Sequence, residues 1–398
     1  MNNLKDIFIE NLRGENLENK KCIVRVDFNV PLSGENKLLD DTRIKAVKET
    51  IDFLIAKKAK VILISHMGRP KGKTNPNFSL TKIIDSIELI LKYQIHLIDV
   101  NEKNEFIHNS ISNIKSNQII MFENIRFNPE EESYSDKFSK YLSSFGDIYI
   151  NEAFAVSHRN HSSITGIPKF IPSFMGYMMY KEYISISKYN SQLNNNSICI
   201  FGGAKISDKI QILNNFLGKV KCIAIGGGMI KEFANYLNSK NLSPKVQDNQ
   251  IVHEIINNNK TKILIPKDVI INNENQKQKY IIKNLNQVLT EDNIVDIGPK
   301  TIDLYSNWIK NCSYILWNGP MGIFENPDSN KGTSAIAKAI AENNNAYSVA
   351  GGGSTVQAIN QFISTSEISH VSTGGGAFME YIENGTLPGI NAIIQNKN

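Results

Sequence analysis

The sequence predicts an α/β protein of two doubly wound parallel-sheet domains joined by a helix. Its 398 residues exceed one ordinary domain, and 41% hydrophobic with 21% charged residues is typical of a globular chain. Short apolar segments of strand length alternate throughout with amphipathic helical segments, which favours parallel sheets covered by helices on both faces. Pro168 and Pro172, followed by a polar loop at 193–196, indicate a boundary between two halves.

The strands are expected where four or so apolar residues follow one another. The first half gives Cys22–Val26, Val61–Ile64, Ile95–Ile98, Ile119–Phe122 and Ile148–Ile150. The second half gives Ile198–Phe201, Cys222–Ile225, Lys262–Ile265, Ile294–Asp296, Tyr314–Leu316, Ser348–Ala350 and His370–Ser372. The polar, Asn-rich segments 238–260 and 271–293 are expected to be surface excursions.

The helices are predicted from apolar residues that recur on one face. One helix presents Ile44, Val47, Ile51, Leu54 and Ile55. The next presents Leu80, Ile83, Ile84, Ile87, Ile90 and Leu91, with Ser79 as its N-cap. A further helix over about 175–189 is expected to join the halves, so that the domains span 1–172 and 191–384 with a hinge helix at 173–190.

Composition excludes several classes of protein. A net charge of +5 is too small to indicate nucleic-acid binding, and no apolar stretch approaches the ~20 residues of a membrane span. The four cysteines are widely spaced and are expected to be buried thiols of a reducing, cytoplasmic compartment, without a metal or a disulfide: Cys22, Cys199, Cys222 and Cys312.

The loops that follow the strands of the first half are rich in cations. Four of the six arginines lie there, together with three of the seven histidines: Arg43, Arg69, Arg126, Arg159, His66, His158 and His161. The carboxyl ends of parallel strands meet at one edge of a sheet, so these side chains predict a cationic cup for a small polyanion. Asp27 and Asn29 could hold a hydroxyl group. The alternative is that each cation only anchors its own loop, and for Arg13 and Arg25 we expect surface ion pairs.

The corresponding loops of the second half are rich in glycine. Four strands are followed by glycine clusters, at 202–203, 226–228, 351–353 and 374–376. Glycine lets the backbone approach a ligand closely, and the helix that follows presents free N–H groups to an anion. A single cluster could be a tight turn, but four in one domain favour a nucleotide site. Lys205 and Lys209 follow the first cluster at helical spacing, although Lys209 could be a solvated helix residue.

Two well-known sets of nucleotide-binding and kinase motifs do not occur in the sequence. It has neither a Gly-x-x-x-x-Gly-Lys-Ser/Thr loop nor the paired His-Arg-Asp and Asp-Phe-Gly motifs of protein kinases. No base for deprotonating an alcohol is evident either. That pattern fits a nucleophile that is already ionised, such as a carboxylate or a nucleotide phosphate.

Seven ordered blocks resemble those of the phosphoglycerate kinase family. They are Val-Asp-Phe-Asn-Val-Pro at 26–31, Ser-His-Met-Gly-Arg-Pro at 65–70, Glu-Asn-Ile-Arg-Phe at 123–127, Gly-Gly-Ala-Lys-Ile-Ser-Asp-Lys at 202–209, Asp-Ile-Gly-Pro-Lys-Thr at 296–301, Trp-Asn-Gly-Pro-Met-Gly-Ile-Phe-Glu at 317–325 and Ser-Thr-Gly-Gly-Gly-Ala at 372–377. The resemblance covers the chain from residue 20 to its end. It implies two Rossmann-like domains, with the tail 385–398 completing the first.

The resemblance also implies where ligands bind. Phosphoglycerate would contact the first domain through Asp27, Phe28, Asn29, Arg43, His66, Met67, Gly68, Arg69, Arg126 and Arg159. ADP or ATP, with Mg²⁺, would contact the second through Gly202, Gly203, Lys205, Lys209, Gly227, Asn318, Glu325, Gly352, Gly353, Ser354 and Thr355. Arg43, Lys205 and Lys209 would be catalytic, in an in-line transfer after closure about the hinge. A monomer with small-molecule substrates is expected.

Two residues depart from the family pattern. Ser354 stands where an Asp usually binds the metal, so Ser354 is only a weak candidate Mg²⁺ ligand. Glu152 stands where Asp is usual, and the extra methylene is expected to be tolerated. Two alternatives stay open: a binding protein that has lost efficient turnover, and a Rossmann-type dehydrogenase. The second is disfavoured because no Gly-x-Gly-x-x-Gly follows the first strand.

Overall fold

The computed structural model describes residues 5–115, 117–193, 196–203, 209–238, 247–257, 261–273 and 279–396. The chain divides into two compact units. Unit 1 comprises Met1–Ile184 with Thr386–Asn398, and unit 2 comprises Ser185–Gly385. Over the described ranges, every helix is too short or too polar to traverse a bilayer.

Unit 1 is built on a six-stranded parallel sheet. Its strands are β1 (Lys21–Val26), β2 (Lys60–Ile64), β3 (Gln94–Ile98), β4 (Gln118–Phe122), β5 (Ile148–Glu152) and β6 (Ser173–Met175), in the order β3-β4-β2-β1-β5-β6. Its helices before the unit boundary are α1 (Thr42–Ala46), α2 (Lys48–Ala56), α3 (Ile84–Leu91), α4 (Asn104–Asn113), α5 (Pro129–Ser133) and α6 (Asp136–Ser143). Successive residues of β1 face opposite sides of the sheet, so Val24 packs in one apolar core and Ile23 in the other.

Three details of unit 1 differ from the expectation. The first predicted helix is two, because the backbone at Val47 (φ −93°, ψ −4°) ends α1 before α2 begins. Residues 173–175 form β6, so the joining helix α7 spans Tyr177–Ser191. Ser79 does cap its helix, accepting a hydrogen bond from the amide of Thr81, but the first turn there is a 3₁₀ helix.

Unit 2 contains a second six-stranded parallel sheet and a small antiparallel one. The strands are β7 (Ser197–Phe201), β8 (Cys222–Ile225), β9 (Lys262–Leu264), β10 (Asp268–Asn272), β11 (Tyr280–Asn284), β12 (Asn293–Ile297), β13 (Tyr314–Asn318), β14 (Tyr347–Gly351) and β15 (His370–Ser372). The helices are α8 (Ile210–Phe216), α9 (Ile230–Asn238), α10 (Gln247–Ile256), α11 (Pro299–Lys310), α12 (Lys331–Glu342), α13 (Gly353–Phe362) and α14 (Gly376–Asn384). The parallel sheet has the order β15-β14-β13-β7-β8-β9.

Both polar segments, 238–260 and 271–293, contain regular secondary structure over the described residues. Helix α10 lies in the first segment. In the second, β11 pairs antiparallel with β10, and β10 pairs with β12. Strand β12 is therefore not part of the parallel sheet. Backbone hydrogen bonds to β10 hold β11 in place, because the side chains of β11 are at most half-buried.

The C-terminal helix α15 (Pro388–Gln395) packs on unit 1. Ile390 and Ile393 are buried, and the amide of Gly389 donates to the carbonyl of Ser157 at 2.8 Å. The four cysteines are buried and unpaired, as expected.

Candidate active site

The cationic loops of unit 1 lie at one edge of its sheet. Strands β4, β2, β1 and β5 are neighbours and parallel, so the residues after Phe122, Ile64, Val26 and Glu152 emerge side by side. The sheet topology therefore brings together loops that are about 100 residues apart in the sequence. We call the side chains that these loops present the cup.

Asp27 organises the first part of the cup. Its Oδ2 accepts from Nη1 of Arg43 at 2.6 Å, and the same nitrogen donates to the carbonyl of Asn29 at 3.1 Å. The Oδ1 of Asn29 accepts from the amide of Gly68 at 2.9 Å, which joins the loops after β1 and β2. Arg43 keeps a third of its side chain exposed, so it is both held in place and open to a ligand.

Arg126 closes another side of the cup. Its Nη1 donates to the carbonyl of Gly68 at 2.8 Å, and its Nε lies 3.2 Å from Oε1 of Glu132. The Nδ2 of Asn124 donates to the carbonyl of Met67 at 2.7 Å. Met67 itself is buried, as is Phe28, so these two shape the loops and leave contact with a polar ligand to their neighbours.

His66 lies buried at the base of the cup. Its Nδ1 is 3.4 Å from Nη2 of Arg25 and 3.7 Å from Oδ1 of Asp27. Burial, reinforced by the charges of Arg25 and Arg126, holds the pKa of His66 well below its usual value. His66 is therefore neutral at pH 7 and adds no positive charge to the cup.

Arg25 is fully buried, so the expectation that it forms a surface ion pair is wrong. Its Nε donates to Oγ of Ser163 at 2.7 Å, and that hydroxyl donates to Oε1 of the buried Glu131 at 2.6 Å. A buried arginine needs such partners, and they come from two distant segments. Arg13, by contrast, forms the expected exposed ion pair with Glu10.

Arg69 and Arg159 lie exposed at the rim of the cup. Burial, and then the charge of Arg159, lowers the pKa of His158 to about 4. Burial and the charges of Arg126, Arg25 and Arg159 lower that of His161 to about 3. Cations therefore outnumber anions around the cup, which suits a polyanionic ligand.

In unit 2 the four glycine clusters lie at the carboxyl ends of β8, β7, β14 and β15, and Gly319 follows β13, which lies between β7 and β14 in the sheet. The amide of Gly202 donates to the carbonyl of Asn318 at 2.9 Å, and that of Gly228 to the carbonyl of Gly203 at 2.6 Å. A Cβ on Gly202 would overlap the carbonyl oxygen of Pro320. Only glycine permits turns this closely packed.

Three polar side chains meet between these turns. Lys209 Nζ donates to Oδ1 of Asn318, whose Nδ2 donates to the carbonyl of Gly351 at 2.6 Å. The hydroxyl of Thr355 accepts from the amide of Gly319 at 2.8 Å. The start of α13, where Gly353 and Ser354 lie exposed, adds backbone N–H groups beside them.

A cleft of about 390 Å³ opens next to the turns. Its lining combines apolar residues with glycines: Ile294, Val295, Pro320, Met321, Ile323 and Phe324, together with Gly203, Gly227, Gly228 and Gly322. Asp296, Glu325 and Ser354 are its ionisable or hydroxyl-bearing residues. Such a cleft fits a flat base beside a polyphosphate. Burial raises the pKa of Asp296 to about 7, although the amides of Gly332 and Ile297 donate to it.

Ser354 and Glu325 are the two candidate ligands for a metal ion in the cleft. Both line the cleft and both are exposed. Within the described ranges, no group of three His, Cys, Asp or Glu side chains could form a metal cage. One hydroxyl and one carboxylate fit a Mg²⁺ ion that arrives with a nucleotide and keeps most of its water.

Lys205, which the sequence predicts to contact the nucleotide, lies outside the described residues.

Comparison with known proteins decides the family. The family model described as phosphoglycerate kinase matches residues 11–385. The chain belongs to the phosphoglycerate kinase family. Among curated relatives, the phosphoglycerate kinase of Dictyoglomus turgidum is 40% identical over 98% of this chain and 99% of its own length. That of Chloroflexus aggregans is 37% identical over 94% and 96%.

Solved structures agree with the match. The phosphoglycerate kinase of Coxiella burnetii superposes with a TM-score of 0.84 at 30% identity, covering 97% of this chain and 99% of that one. That of Pyrococcus horikoshii OT3 gives 0.79 at 27% identity over 97% and 98%. The resemblance predicted from the seven blocks is thus confirmed, and so are the two parallel-sheet α/β domains. The dehydrogenase alternative is wrong.

Some cup and cleft residues were missed by sequence reasoning. Glu131 lies within a run of three glutamates, which by itself indicates only a helix start. Ser163 stands in the His-Ser-Ser motif beside Arg159, and that motif was the available signal. The apolar residues Ile294 and Phe324 carry no chemical signal in the sequence, because their role depends on the cleft that the fold makes.

Proposed function

We propose that this chain catalyses reversible transfer of the acyl phosphate of 1,3-bisphosphoglycerate to ADP, giving 3-phosphoglycerate and ATP. The observation that carries the proposal is the division of chemistry between the units. Arginine and histidine side chains gather at the sheet edge of unit 1, whereas glycine turns, a lysine and an apolar cleft gather at that of unit 2. Two polyanionic ligands of different shape fit these two surfaces.

In unit 1 the cup would bind the phosphoglycerate. Arg126, with Arg69, Arg159 and the neutral His66, would hold the phosphate that is not transferred. Asp27 and Asn29 would hold the hydroxyl group. Phe28, Met67 and Gly68 would contribute through their backbone and by shaping the two loops. Membership in the family supports phosphoglycerate as the ligand, and the residue assignments follow the sequence blocks at 26–31, 65–70 and 123–127.

In unit 2 the turns would bind the nucleotide. The apolar walls of the cleft suit the base, and the exposed carboxylate of Glu325 suits the ribose hydroxyls. The amides around the glycine turns and the start of α13, together with Lys209, suit the phosphates. The residues proposed to contact the nucleotide are Gly202, Gly203, Lys205, Lys209, Gly227, Asn318, Glu325, Gly352, Gly353, Ser354 and Thr355.

The chemistry needs no general base. A β-phosphate oxygen of ADP forms the new P–O bond as the bond to the acyl oxygen breaks, and 3-phosphoglycerate leaves as a carboxylate; in reverse, that carboxyl group is the acceptor. Both nucleophiles are already ionised, so catalysis rests on alignment and on cancelling charge. Arg43, Lys205 and Lys209 would supply that charge. Mg²⁺ enters as part of the nucleotide substrate and adds positive charge to its phosphates.

Transfer also requires the two ligands to meet away from water. Each unit offers one binding surface, so we propose that the units close about α7, the helix that runs from one to the other. We further propose a monomeric, cytoplasmic enzyme of glycolysis and gluconeogenesis that binds neither nucleic acid nor membranes. Size-exclusion chromatography with light scattering tests the monomer.

One observation favours a second candidate function. Ser354 offers the metal a neutral oxygen, so the chain could bind both ligands and yet turn over poorly. Mg²⁺-dependent formation of ATP from 1,3-bisphosphoglycerate and ADP separates the two. Turnover at the ~10 s⁻¹ or more that is ordinary for enzymes supports the kinase. Binding of both ligands without turnover supports the binding protein.

A further inference from the structure

Helix α7 is one of the two covalent connections between the units, the other being the step from Gly385 to Thr386. Tyr177–Ile184 belongs to unit 1 and Ser185–Ser191 to unit 2. The first N–H groups of any helix have no partner within it, and what they bond to fixes the direction in which the helix starts. The start of α7 therefore bears on how the units move.

Two side chains from other elements hold the first three amides of α7. Tyr177 donates to Oγ1 of Thr50 at 2.9 Å. Met178 and Met179 donate to the two carboxylate oxygens of Glu152 at 3.3 and 2.8 Å. The hydroxyl of Thr50 in turn donates to Glu152. We call this arrangement the α7 joint.

The α7 joint is closed to solvent and tightly packed. Thr50 and Glu152 are both fully buried. A Cβ on Gly176, the residue before α7, would overlap the Glu152 carboxyl group. The joint therefore has no room for a sideways shift of the Glu152 side chain.

The α7 joint also reaches the cup. Thr50 lies in α2, which follows directly on α1, the helix that carries Arg43. Glu152 ends β5, the strand that leads to the loop of Arg159. Thr50 and Glu152 therefore connect the first turn of α7 with the two elements that lead to Arg43 and Arg159 of the cup.

Burial opposes the charged form of the carboxyl group of Glu152. Burial raises the pKa of Glu152 to about 7 even though Thr50, Met179 and Met178 donate to it, and the nearby Glu49 of α2 acts in the same direction as burial. An ionisable group held at such a cost is a candidate for function.

We propose that Thr50 and Glu152 are positioning residues that fix the start of α7 relative to the cup, so that losing either lowers turnover far more than it weakens binding of either ligand. The proposal rests on the proposed kinase activity. Neither residue touches substrate in it. They act by setting the alignment in which the two bound ligands react.

A matched pair of variants at Thr50 gives the test. Thr50→Val keeps the shape and removes the hydroxyl, whereas Thr50→Ser keeps the hydroxyl. We expect Thr50→Val to lower kcat by about 10-fold or more, while the Kd values for 3-phosphoglycerate alone and MgADP alone change by less than ~2-fold. Thr50→Ser should restore most of kcat.

Glu152→Gln provides the second variant, because its amide would place N–H donors against the amides of α7. It should give the same split between kcat and Kd, and the double variant with Thr50→Val should be no worse than the stronger single one, since both remove one joint. Glu88→Gln is the control. Glu88 accepts a backbone hydrogen bond from Ile95 at 2.7 Å at the start of β3, away from α7, and kcat should stay normal.

Each outcome decides something. A normal kcat in Thr50→Val or Glu152→Gln, or a loss matched by Glu88→Gln or by equally weakened binding, overturns the positioning role and leaves the kinase intact. If Glu152→Gln does not fold, the Thr50 pair decides alone. If the unmodified chain forms no ATP although it binds both ligands, the proposed activity itself fails, and this role fails with it.

Discussion

Units 1 and 2 place different chemistry at the same edge of similar sheets. All six arginines of the chain lie in unit 1, where buried acids and histidines hold several of them in position. Unit 2 has no arginine, and its ligand-facing turns are mainly backbone that glycine leaves bare. A small acid with few atoms is recognised by converging side chains, whereas a long polyphosphate can be followed by a row of amides.

The two binding surfaces should therefore be impaired by different kinds of substitution. A side-chain site can lose one charge while its loops keep their shape. A backbone site has no side chain to remove and is broken by adding atoms.

Removing the charge of Arg43 should have the largest effect. Arg43→Ala is expected to lower kcat by about 10²–10³-fold, or ~3–4 kcal/mol, because in the proposed mechanism its charge stabilises the transferring phosphoryl group. Binding of 3-phosphoglycerate alone should weaken much less. Steady-state kinetics and calorimetry measure the two quantities. Arg13→Ala is the control, since Arg13 is exposed, forms an ion pair with Glu10 and is not a side chain of the cup. A near-normal kcat for Arg43→Ala would remove Arg43 from the catalytic residues.

Acidification should weaken unit 1 and not unit 2. The lowered pKa values of His66, His158 and His161 mean that the folded unit binds fewer protons than the unfolded chain below pH ~6.5. Their contribution to stability is complete above that pH and is lost as the pH falls toward the folded pKa values. For His158 and His161 the loss is up to about 2 kcal/mol each at pH 5, and His66 acts in the same direction. The raised pKa of Glu152 works in the opposite direction and offsets about 2 kcal/mol.

In unit 2, Asp296 has a pKa raised to about 7, so its contribution falls as the pH rises through 7 and grows as the pH is lowered. The two tryptophans, Trp308 and Trp317, both lie in unit 2, so their fluorescence follows that unit alone, whereas far-UV circular dichroism follows both. Between pH 7 and pH 5 the dichroism midpoint should fall and separate from the fluorescence midpoint. If both midpoints fall together, the pKa assignment is wrong.

Adding a methyl group at one of the glycine turns of unit 2 should weaken nucleotide binding selectively. Gly352 has φ +103°, and a Cβ there would lie 2.7 Å from Nδ2 of Asn318. Gly352→Ala is expected to weaken nucleotide binding by about 1–3 kcal/mol and to leave 3-phosphoglycerate binding unchanged. Gly14→Ala is the control, because a Cβ there meets nothing within 4 Å. Equal weakening of both ligands in Gly352→Ala would show that the units do not bind separately.

Restoring a carboxylate at position 354 should have the smallest effect. Ser354→Asp is expected to lower the Mg²⁺ concentration for half-maximal rate several-fold, about 1 kcal/mol, with phosphoglycerate affinity unchanged. A magnesium titration of the initial rate measures it. An unchanged magnesium dependence would place Ser354 outside the metal's surroundings, and Glu325 would be the next residue to replace.

The parts of the molecule that depend on local pattern were predictable from the sequence. Apart from β6, the strands of the two parallel sheets were predicted from short apolar segments, and the cationic loops and glycine turns from the residues directly after those segments. The burial of Arg25 was not predictable, because its partner Ser163 lies 138 residues away. Strands β10 and β11 were missed for a related reason: Asn and Lys hide the pattern, and the pairing with β12 supplies the order.

The Glu152 substitution shows the same limit. Compared with the usual Asp, Glu152 has one additional methylene, and that is all the sequence shows. Nothing in the sequence connects Glu152 to Thr50 or to the first amides of α7. Their hydrogen bonds span 102 and about 27 residues. Long-range pairs of this kind are set by the packing of whole elements, which local periodicity does not encode.

Hydrogen exchange on the full chain, read peptide by peptide with each ligand added alone, tests the division between the units most directly. With 3-phosphoglycerate, exchange should slow in peptides that cover 26–30, 65–70 and 123–127 of unit 1. With MgADP, it should slow in those that cover 202–203, 226–229, 317–325 and 351–356 of unit 2. Protection of the unit 1 peptides by MgADP and of the unit 2 peptides by 3-phosphoglycerate would contradict the division.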